Sequence, residues 1–453
     1  MLTRRDFIQS AIASSVGLAG LTACGGGSSS SSESGGTAGG GTGGGGTGGG
    51  GTVINPILVV VNIDGGWDWL NITPPISGAN KMAYEAQRPT LKITNAVDIG
   101  SGVGLNPDFT GMNTLHGLGK IAWVMGLSMP NANLSHFTAS DLWSQGGTVG
   151  SSPVSLNGSG WLGRYADIAF SATNAIQGIS TLSSTPRMIT GLQKGFIPLN
   201  ANPSLTLMSG LRNYERGLRP PYDLDLTLLK NAYNLGFITP TNDASSRSAI
   251  EIISAKEKSL SDATVSLDGL PLRTPTVTYP TDLPINGEFF DQLKLVSTLI
   301  ASNLPIQIYY CRLSGWDTHS NQSTTMRVLL RALGGGLNAF YQDLASINTS
   351  LGNAQDRVMI MTWSEFGRRL TENSGGTDHG TNSLSMCIGK NVKGGFYGEY
   401  PALNNPDLYG NMRYMNTSDY RQLYATILDR WLNVAPSVTN NILGTNYTRF
   451  NFL

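Results

Sequence analysis

The sequence "PILVVVNIDGGWDWLN", residues 56–71, gives the clearest indication of the fold. It begins with an apolar run, residues 57–61, in which apolar and polar side chains do not alternate. A short run of this kind is typical of a strand that is buried on both faces, as in a parallel sheet. Gly65 and Gly66 follow it and permit a tight turn with close backbone approach. The stretch therefore predicts a central parallel strand that ends near Asp64.

Four more apolar runs of strand length lie downstream, and three segments have helical spacing of apolar residues. Strands that alternate with helices indicate a mostly parallel sheet with helices on both faces. Three glycines inside the second helix predict either close packing or a kink, and Ser418 is the expected N-cap of the third helix. The strands are predicted at KIAWVMGL (120–127), PIQIYYCRL (305–313), DRVMIMTW (356–363) and SLSMCIG (383–389), and the helices at residues 287–303, 324–348 and 418–432.

The composition excludes one class of partner. The chain has 453 residues, with 30 Lys and Arg, 30 Asp and Glu, and a formal net charge of zero. A nucleic-acid surface or a polybasic membrane patch needs an excess of positive charge, so we expect no nucleic acid. The length suits one large α/β domain, which we place at residues 53–453. Residues around 186–280 are rich in Pro and Ser and are predicted to form an insertion.

Residues 1–24 have the pattern of an export signal, with a basic start and an apolar stretch over residues 7–21. Arg4 and Arg5 resemble the twin-arginine motif, and Cys24 resembles the lipidated cysteine of a bacterial lipobox. We therefore expect the twin-arginine (Tat) export machinery as a partner and a membrane anchor through Cys24. An uncleaved membrane anchor is the alternative, although the apolar stretch is short for a bilayer.

The next segment, residues 25–52, consists almost entirely of Gly, Ser and Thr and is predicted to be a flexible linker. A coil of this length reaches roughly 30 Å. Behind a lipidated Cys24 it would tether a globular domain in the periplasm or at the cell surface. Gly25 is not the Asp that resembles an inner-membrane retention signal, which favours the outer membrane.

Polar side chains lie at the predicted strand ends, where open α/β sheets form their sites. Carboxylates and imidazoles together bind divalent metals, and a metal activates water or neutralises a phosphoryl or sulfuryl group. A serine at a helix N-terminus can act as a nucleophile beside N–H groups that receive an anion. We therefore expect zinc, manganese, calcium or magnesium and no organic cofactor. The candidates are Asp64, Asp68, Ser135, His136, Asp317, His319, Glu365, Arg368, Asp378 and His379.

Seven motifs follow one another along the chain: GGWDWLN, SHFTASDLW, GWLGRYAD, GWDTHSNQ, SEFGRR, GGTDHG and VKGGFYGEYP. In this order they resemble those of a bacterial family called domain of unknown function fifteen-oh-one. The resemblance covers essentially residues 56–433. The family is regarded as a divergent branch of the alkaline phosphatase and sulfatase superfamily and is often twin-arginine exported. The resemblance implies a three-layer α/β/α sandwich of the alkaline-phosphatase-like type.

The same resemblance implies roles for individual residues. Ser135 would be the nucleophile, with His136 beside it as a second catalytic candidate. Asp68 and Arg368 would line the site. The implied metal ligands are Asp64 on the first strand, the pair Asp317 and His319, the acidic Glu365, and the late His379 with Asp378. The leading hypothesis is a metal-dependent hydrolase of phosphate or sulfate esters.

The chain departs from the superfamily pattern where Glu365-Phe366 replaces an Asp-His pair and loses an imidazole. This departure favours the alternative hypothesis, a catalytically inactive binding module for carbohydrate or protein. Several candidates also have structural interpretations. Asp68 could cap a helix, and Asp317 could simply hold His319 by a hydrogen bond. Glu365 could pair with a following arginine at a helix start.

Two other groups of residues have alternative interpretations. The tryptophans near the motifs could pack in the core or form an aromatic wall for a flat ligand. Two cysteines remain after Cys24, and they are expected to be buried free thiols rather than a disulfide. The residues concerned are Trp67, Trp69, Trp143, Trp161, Trp316, Trp363, Cys311 and Cys387.

Overall fold

The computed structural model describes residues 53, 55–147, 158–170, 178–182, 185–191, 197–198, 272–283, 288–405 and 418–453. The predicted signal segment and linker, with Arg4, Arg5 and Cys24, lie outside these residues. Most of the insertion predicted around residues 186–280 also lies outside them.

The strand predicted first along the chain lies in the middle of a sheet that has nine strands among the described residues. This strand, β1 (Ile57–Asp64), pairs in parallel with β7 (Ile308–Ser314) and with β10 (Val358–Trp363). Its side chains alternate between two apolar clusters, one on each face of the sheet. The burial on both faces explains why the sequence of β1 is a continuous apolar run.

The remaining strands complete the sheet and three short ribbons. They are β2 (Val97–Asp98), β3 (Gly104–Leu105), β4 (Ile121–Ser128), β5 (Gly178–Ser180), β6 (Ile197–Pro198), β8 (Asn348–Thr349), β9 (Gly352–Asn353), β11 (Gly367–Asn373), β12 (Gly376–Gly380), β13 (Ser383–Gly389), β14 (Gly395–Gly398) and β15 (Ser418–Asp419). The order in the sheet is β14-β4-β13-β10-β1-β7-β5-β6, with β15 beside β4. The ribbons are β2–β3, β8–β9 and β11–β12.

One strand runs against the rest. β13 is antiparallel to both of its neighbours, β10 and β4, whereas the other paired strands of the sheet are parallel. Two neighbouring strands can be parallel only if a crossover, usually a helix, connects them. β10 and β13 are joined only through the β11–β12 ribbon, so they are antiparallel. The prediction of a mostly parallel sheet is confirmed, with this exception. As a result, the chain enters β13 at the edge where the parallel strands end.

Helices cover both faces of the sheet. The helices are α1 (Gly78–Gln87), α2 (Met112–Gly117), α3 (His136–Gln145), α4 (Trp161–Ala169), α5 (Glu288–Ala301), α6 (Gln322–Leu344), α7 (Ala354–Arg357), α8 (Tyr420–Thr426) and α9 (Pro436–Leu443). Residues Ile427–Trp431 continue α8 as a π-helix, and Trp69–Asn71 and Arg187–Ile189 are 3₁₀ turns. Side chains of α5 and α6 belong to one apolar cluster and those of α4, α8 and α9 to the other.

The glycines inside α6 serve close packing, and the helix continues through them. A Cβ atom on Gly334 would lie 2.5 Å from the Thr110 carbonyl oxygen and 2.8 Å from the Phe109 ring. The helix can therefore approach the loop before α2 only because this position has no side chain.

We expect Gly334→Ala to destabilise the domain by about 1–3 kcal/mol, the usual cost of overpacking a core. Gly117→Ala is the matched control, because a Cβ atom there would meet no atom within 4 Å. Urea unfolding of both variants measures the difference, and equal stabilities would contradict the packing argument.

Two further local expectations have clear outcomes. Ser418 is not the N-cap of the last long helix: Asp419 is, and its carboxylate accepts from the Arg421 N–H. Cys311 and Cys387 are buried free thiols, as predicted. Among the described residues, none of the helices has the length and apolar character needed to cross a membrane.

Candidate metal centre

The candidate site lies at the edge of the sheet where the parallel strands end. The loop after β7 carries Asp317 and His319, and α3, which follows β4, begins at His136. Glu365 comes directly after β10. His379 is in the β11–β12 ribbon, which precedes the antiparallel β13 and is therefore at the same edge.

Three imidazoles converge on the carboxylate of Asp317. Its Oδ1 lies 3.0 Å from His319 Nε2 and 3.3 Å from His379 Nε2, and its Oδ2 lies 3.4 Å from His136 Nε2. The Nε2 atoms of His319 and His379 are 3.1 Å apart. The four side chains come from three segments of the chain, so the tertiary fold brings them together.

The other nitrogen of each imidazole is held by an oxygen that accepts a hydrogen bond. His136 Nδ1 lies 2.7 Å from Glu365 Oε1, His319 Nδ1 lies 3.1 Å from Asp378 Oδ1, and His379 Nδ1 lies 2.7 Å from the Leu134 carbonyl oxygen. Carboxylates and carbonyls accept here, so each Nδ1 carries the proton. Each Nε2 then presents a lone pair towards Asp317. This is the arrangement that metal-binding histidines commonly show.

No histidine of the cluster donates a hydrogen bond to the Nε2 lone pair of another in this tautomer. His136 Nε2 is shielded from solvent and makes no hydrogen bond to the described residues. The facing Nε2 atoms of His319 and His379 both act as acceptors in this tautomer. Two lone pairs at that separation repel unless a proton or a cation lies with them. The Nε2 lone pairs and the Asp317 carboxylate therefore direct negative charge towards one point, which favours a cation there.

The separations also suit a metal ion. One atom each from His136, Asp317 and His379 lie within 4.8 Å of one another. A tetrahedral zinc site with bonds of 2.0–2.1 Å has ligand atoms about 3.3 Å apart. The distances from the Asp317 carboxylate oxygens to the Nε2 atoms of the three imidazoles are 3.0–3.4 Å, which is close to that value. His136, Asp317 and His379 thus form a triad whose spacing fits a single divalent ion.

Electrostatics prepare Asp317 and His379 for this role. Burial raises the pKa of Asp317, but the hydrogen bond and charge of Arg368 outweigh it and lower the pKa to about 2. Burial lowers the pKa of His379, which favours its neutral imidazole. The hydrogen bond to Glu365 raises the pKa of His136, so a metal would compete with a proton at this residue.

Arg368 organises the loops around the site. It is fully buried and donates to Asp317 Oδ1 at 2.6 Å and to the carbonyl oxygens of Gly65, Gly66, Trp316 and Thr377. Gly65 has φ +125°, and a Cβ atom there would lie 2.5 Å from the Asp317 nitrogen. The turn after β1 is therefore tight because it packs directly against the loop that carries Asp317.

Other predicted site residues have different partners. The Asp64 carboxylate accepts from Ser314 Oγ at 3.2 Å and lies 3.9 Å from the Arg312 guanidinium. Asp68 is buried and forms a two-bond ion pair with Arg88. Neither carboxylate forms a hydrogen bond or an ion pair with any of the three imidazoles.

The Glu365 carboxylate is buried and faces the outer side of His136. Its Oε1 also accepts from the Gly65 N–H at 3.0 Å, and its Oε2 accepts from Ser364 Oγ at 3.1 Å. Residues 367–373 are a strand and Arg368 pairs with Asp317. The alternative of a Glu–Arg pair at a helix start is therefore wrong.

Ser135 is exposed and is the N-cap of α3, but its side chain makes no capping hydrogen bond. Both of its chain neighbours contact the cluster, because Leu134 accepts from His379 and His136 faces Asp317. The backbone of Ser135 is therefore next to the candidate centre.

Two supporting residues were missed by the sequence interpretation. Gln322 joins Asp68 to the hydroxyls of Thr318 and Thr377, which neighbour the metal candidates. Arg88 ties Asp68 to the carbonyl oxygens of Arg369 and Leu370 in β11. Their spacing has no local signature, since most of these partners are at least 20 residues away; Thr318, four residues from Gln322, is the exception.

The tryptophans and the fourth histidine are structural. All six tryptophans near the motifs are buried, which confirms core packing and excludes an aromatic wall. His116 accepts a hydrogen bond from Trp123 Nε1 at 3.1 Å and packs against Phe396, away from the other histidines.

Comparison with known proteins supports part of the resemblance. No curated protein matches the chain. Four of the seven motifs, from GWDTHSNQ onwards, fall within residues 295–443. Over those residues the chain matches the model of a family described as "Protein of unknown function (DUF1501)", and this match supports the DUF1501 family for that part of the chain.

Proposed function

We propose that the chain binds one divalent metal ion and hydrolyses an ester of phosphate or sulfate outside the cytoplasm. Asp317, His379 and His136 would hold the ion, and His319, whose Nε2 lies 3.1 Å from His379 Nε2, would flank it. The observation that carries this proposal is the orientation of the three imidazoles. Each has its Nδ1 held by an oxygen acceptor and its Nε2 turned towards one carboxylate.

The donor set favours some metals over others. Imidazole nitrogens suit zinc and other late first-row ions, whereas calcium and magnesium prefer sites made of oxygen ligands. Imidazole nitrogens combined with one carboxylate therefore favour zinc over manganese, calcium and magnesium. An ion bound here would supply positive charge for a phosphoryl or sulfuryl oxygen and lower the pKa of a bound water.

Ser135 is the proposed nucleophile. Its exposed hydroxyl lies between two residues that contact the cluster, and it makes no capping bond that would occupy it. α3 has ten residues, and the N–H groups of its first turn lack intrahelical partners. These groups and the helix dipole favour an anion at this position. A transferred phosphoryl or sulfuryl group would be held there beside the metal.

Other charged groups near the centre are already engaged. Arg368 uses its donors on Asp317 and four carbonyl oxygens, and Glu365 accepts from His136, Gly65 and Ser364. Asp64 is paired with Ser314. These pairings support a centre for a single ion rather than the two-metal arrangement that the superfamily resemblance suggested.

We expect Ser135→Ala to reduce ester hydrolysis to background while metal content stays unchanged, because the metal ligands remain and only the nucleophile is removed. The assay uses 4-nitrophenyl phosphate and 4-nitrophenyl sulfate with the zinc-loaded chain. Thr138→Ala, an exposed hydroxyl of the same helix, is the control and should retain wild-type turnover. If Ser135→Ala keeps full turnover, a metal-bound water and not the serine is the nucleophile.

A second candidate function, a binding module without catalysis, is favoured by one contact. The Arg368 guanidinium lies 2.6 Å from Asp317 and is fully buried, so it partly neutralises the central carboxylate without a metal. A chain that binds no metal and cleaves neither ester would support this second function.

The cellular setting stays a proposal from residues 1–52. Arg4 and Arg5 support export by the twin-arginine route, and Cys24 supports a lipid anchor. A glycine-rich tether behind Cys24 would place the domain in the periplasm or at the cell surface. Substituting Arg4 and Arg5 by Lys should keep the protein in the cytoplasm, which cell fractionation measures.

A further inference from the structure

An apolar ring lies among the histidines of the candidate metal centre. The centroid of the Phe366 ring is 4.8 Å from that of His136 and 4.6 Å from that of His379, and the two imidazole centroids are 4.4 Å apart. Each of the three rings therefore contacts the other two. Phe366 is only 1% exposed and carries no atom that binds a metal, so its ring can act on the centre only through the two imidazoles.

The hydrogen bonds of these two imidazoles do not fix the planes of the rings. His136 Nδ1 is held by Glu365 and His379 Nδ1 by the Leu134 carbonyl oxygen. One hydrogen bond fixes one atom, and the last side-chain torsion of histidine has a broad energy minimum, so the ring can still rotate. A ring packed against the imidazole resists this rotation, because the imidazole atoms would be driven into it. The contacts of Phe366 therefore limit the directions in which the two Nε2 atoms can point.

The Phe366 ring is itself held by the turn after β1. Gly66 has φ +69°, and a Cβ atom there would lie 2.3 Å and 2.4 Å from two carbons of the Phe366 ring. The Gly66 carbonyl oxygen accepts from Arg368, which also donates to Asp317. The turn cannot move away from the ring without breaking the bond to Arg368. The backbone at Gly66 therefore keeps Phe366 against the imidazoles.

We propose that Phe366 is a positioning residue that sets the planes of His136 and His379 and thereby makes the centre selective for zinc over manganese. This inference rests on the metal binding that is part of the proposed function. Zinc takes four ligands in a tetrahedron, so its binding depends on ligand atoms that are held in fixed directions. Manganese suits oxygen ligands in an octahedral shell, so it gains less from two fixed imidazoles.

Phe366→Leu keeps an apolar side chain but removes the flat ring. We expect it to raise the dissociation constant of zinc by about 10–100-fold, the usual effect of removing the support of a metal ligand. The dissociation constant of manganese should change less. Competition with a chelator measures both constants on the full-length protein. Phe340→Leu is the matched control, because Phe340 is also fully buried but belongs to the apolar core under α6, and both constants should stay unchanged.

Gly66→Ala tests the same contact from the opposite side. Phe366 remains in this variant, but the new methyl group has to displace its ring. Gly119→Ala is the matched control, because Gly119 has φ +66° and a Cβ atom there would meet no atom within 4 Å. The two variants carry the same backbone strain, so only the displaced ring distinguishes them. Gly66→Ala should lose selectivity for zinc over manganese as Phe366→Leu does, and Gly119→Ala should keep it.

Two results would overturn the positioning role. Wild-type affinity for zinc in Phe366→Leu would mean that the hydrogen bonds alone orient the imidazoles. An equal loss of zinc and manganese affinity would mean that the variant only weakens the fold. If the chain binds zinc but cleaves neither ester, the hydrolase proposal fails and the two dissociation constants still decide the role of Phe366.

A measurement without metal covers the case in which the wild-type chain binds none. Nitrogen-15 NMR of the metal-free protein follows the imidazoles, and substitution of each histidine by Ala assigns its signals. His136 and His379 should each show one tautomer, with the proton on Nδ1, in the wild type and a mixture of tautomers in Phe366→Leu. Unchanged imidazole signals in Phe366→Leu would contradict the positioning role, whatever the outcome for the hydrolase proposal.

Discussion

His379→Ala is expected to abolish metal binding by the chain without unfolding it. The wild-type protein, purified without a histidine tag or chelator, should contain about one equivalent of zinc. His379 Nε2 is 3.3 Å from Asp317 and 3.1 Å from His319, so its loss opens the candidate coordination shell. Removing a residue that only hydrogen-bonds to a metal ligand typically lowers metal affinity by about 10–100-fold. Loss of a ligand itself should therefore lower the affinity by at least about 100-fold. Elemental analysis and competition with a chelator measure it.

Two control variants test whether the loss of metal is specific to His379. His116→Ala also removes one histidine, but that residue packs against Phe396 away from the cluster, so metal content should not change. Glu365→Gln keeps an acceptor for His136 Nδ1 while it removes the charge, so affinity should fall less than in His379→Ala. A folded wild-type chain without metal would contradict the hydrolase proposal and leave the binding module as the better function.

Arg88→Leu is expected to cause the largest loss of stability among the single substitutions considered. Arg88 and Asp68 are both fully buried, and the guanidinium makes two bonds to the carboxylate. Arg88 also donates to the carbonyl oxygens of Leu370 and Arg369 in β11. Removing one partner of a buried ion pair strands the other charge and costs about 3–5 kcal/mol. Urea unfolding followed by tryptophan fluorescence measures the change.

The surface pair Lys81–Glu85 provides the comparison. Its side chains are about two-fifths exposed, and exposed ion pairs contribute little to stability. Lys81→Leu should therefore leave the free energy of unfolding nearly unchanged. If Arg88→Leu and Lys81→Leu had similar effects, the ion pair beneath β11 would not be a main support of the ribbon that carries His379.

Much of the fold follows from local sequence signals. All five predicted strands and the three predicted helices are present, since continuous apolar runs and helical spacing reflect burial along one element. The turn at Gly65 was predicted from glycine's freedom to adopt positive φ. Even the gathering of Asp317, His319 and His379 was expected, because strand ends in an open α/β sheet meet at one edge.

The tertiary structure decided how these residues face one another. The direction of β13 depends on the short ribbon before it, and this reversal brings His379 to the site. The Glu365 carboxylate that contacts His136 accepts a hydrogen bond from the Gly65 N–H, and Gly65 is 300 residues away in the chain. Arg88 and Gln322 were not predicted for the same reason, since most of their partners are distant in sequence. The sequence by itself determined which elements form and which polar residues end them, because those signals lie within one element; packing alone determined which atom of each side chain faces the centre.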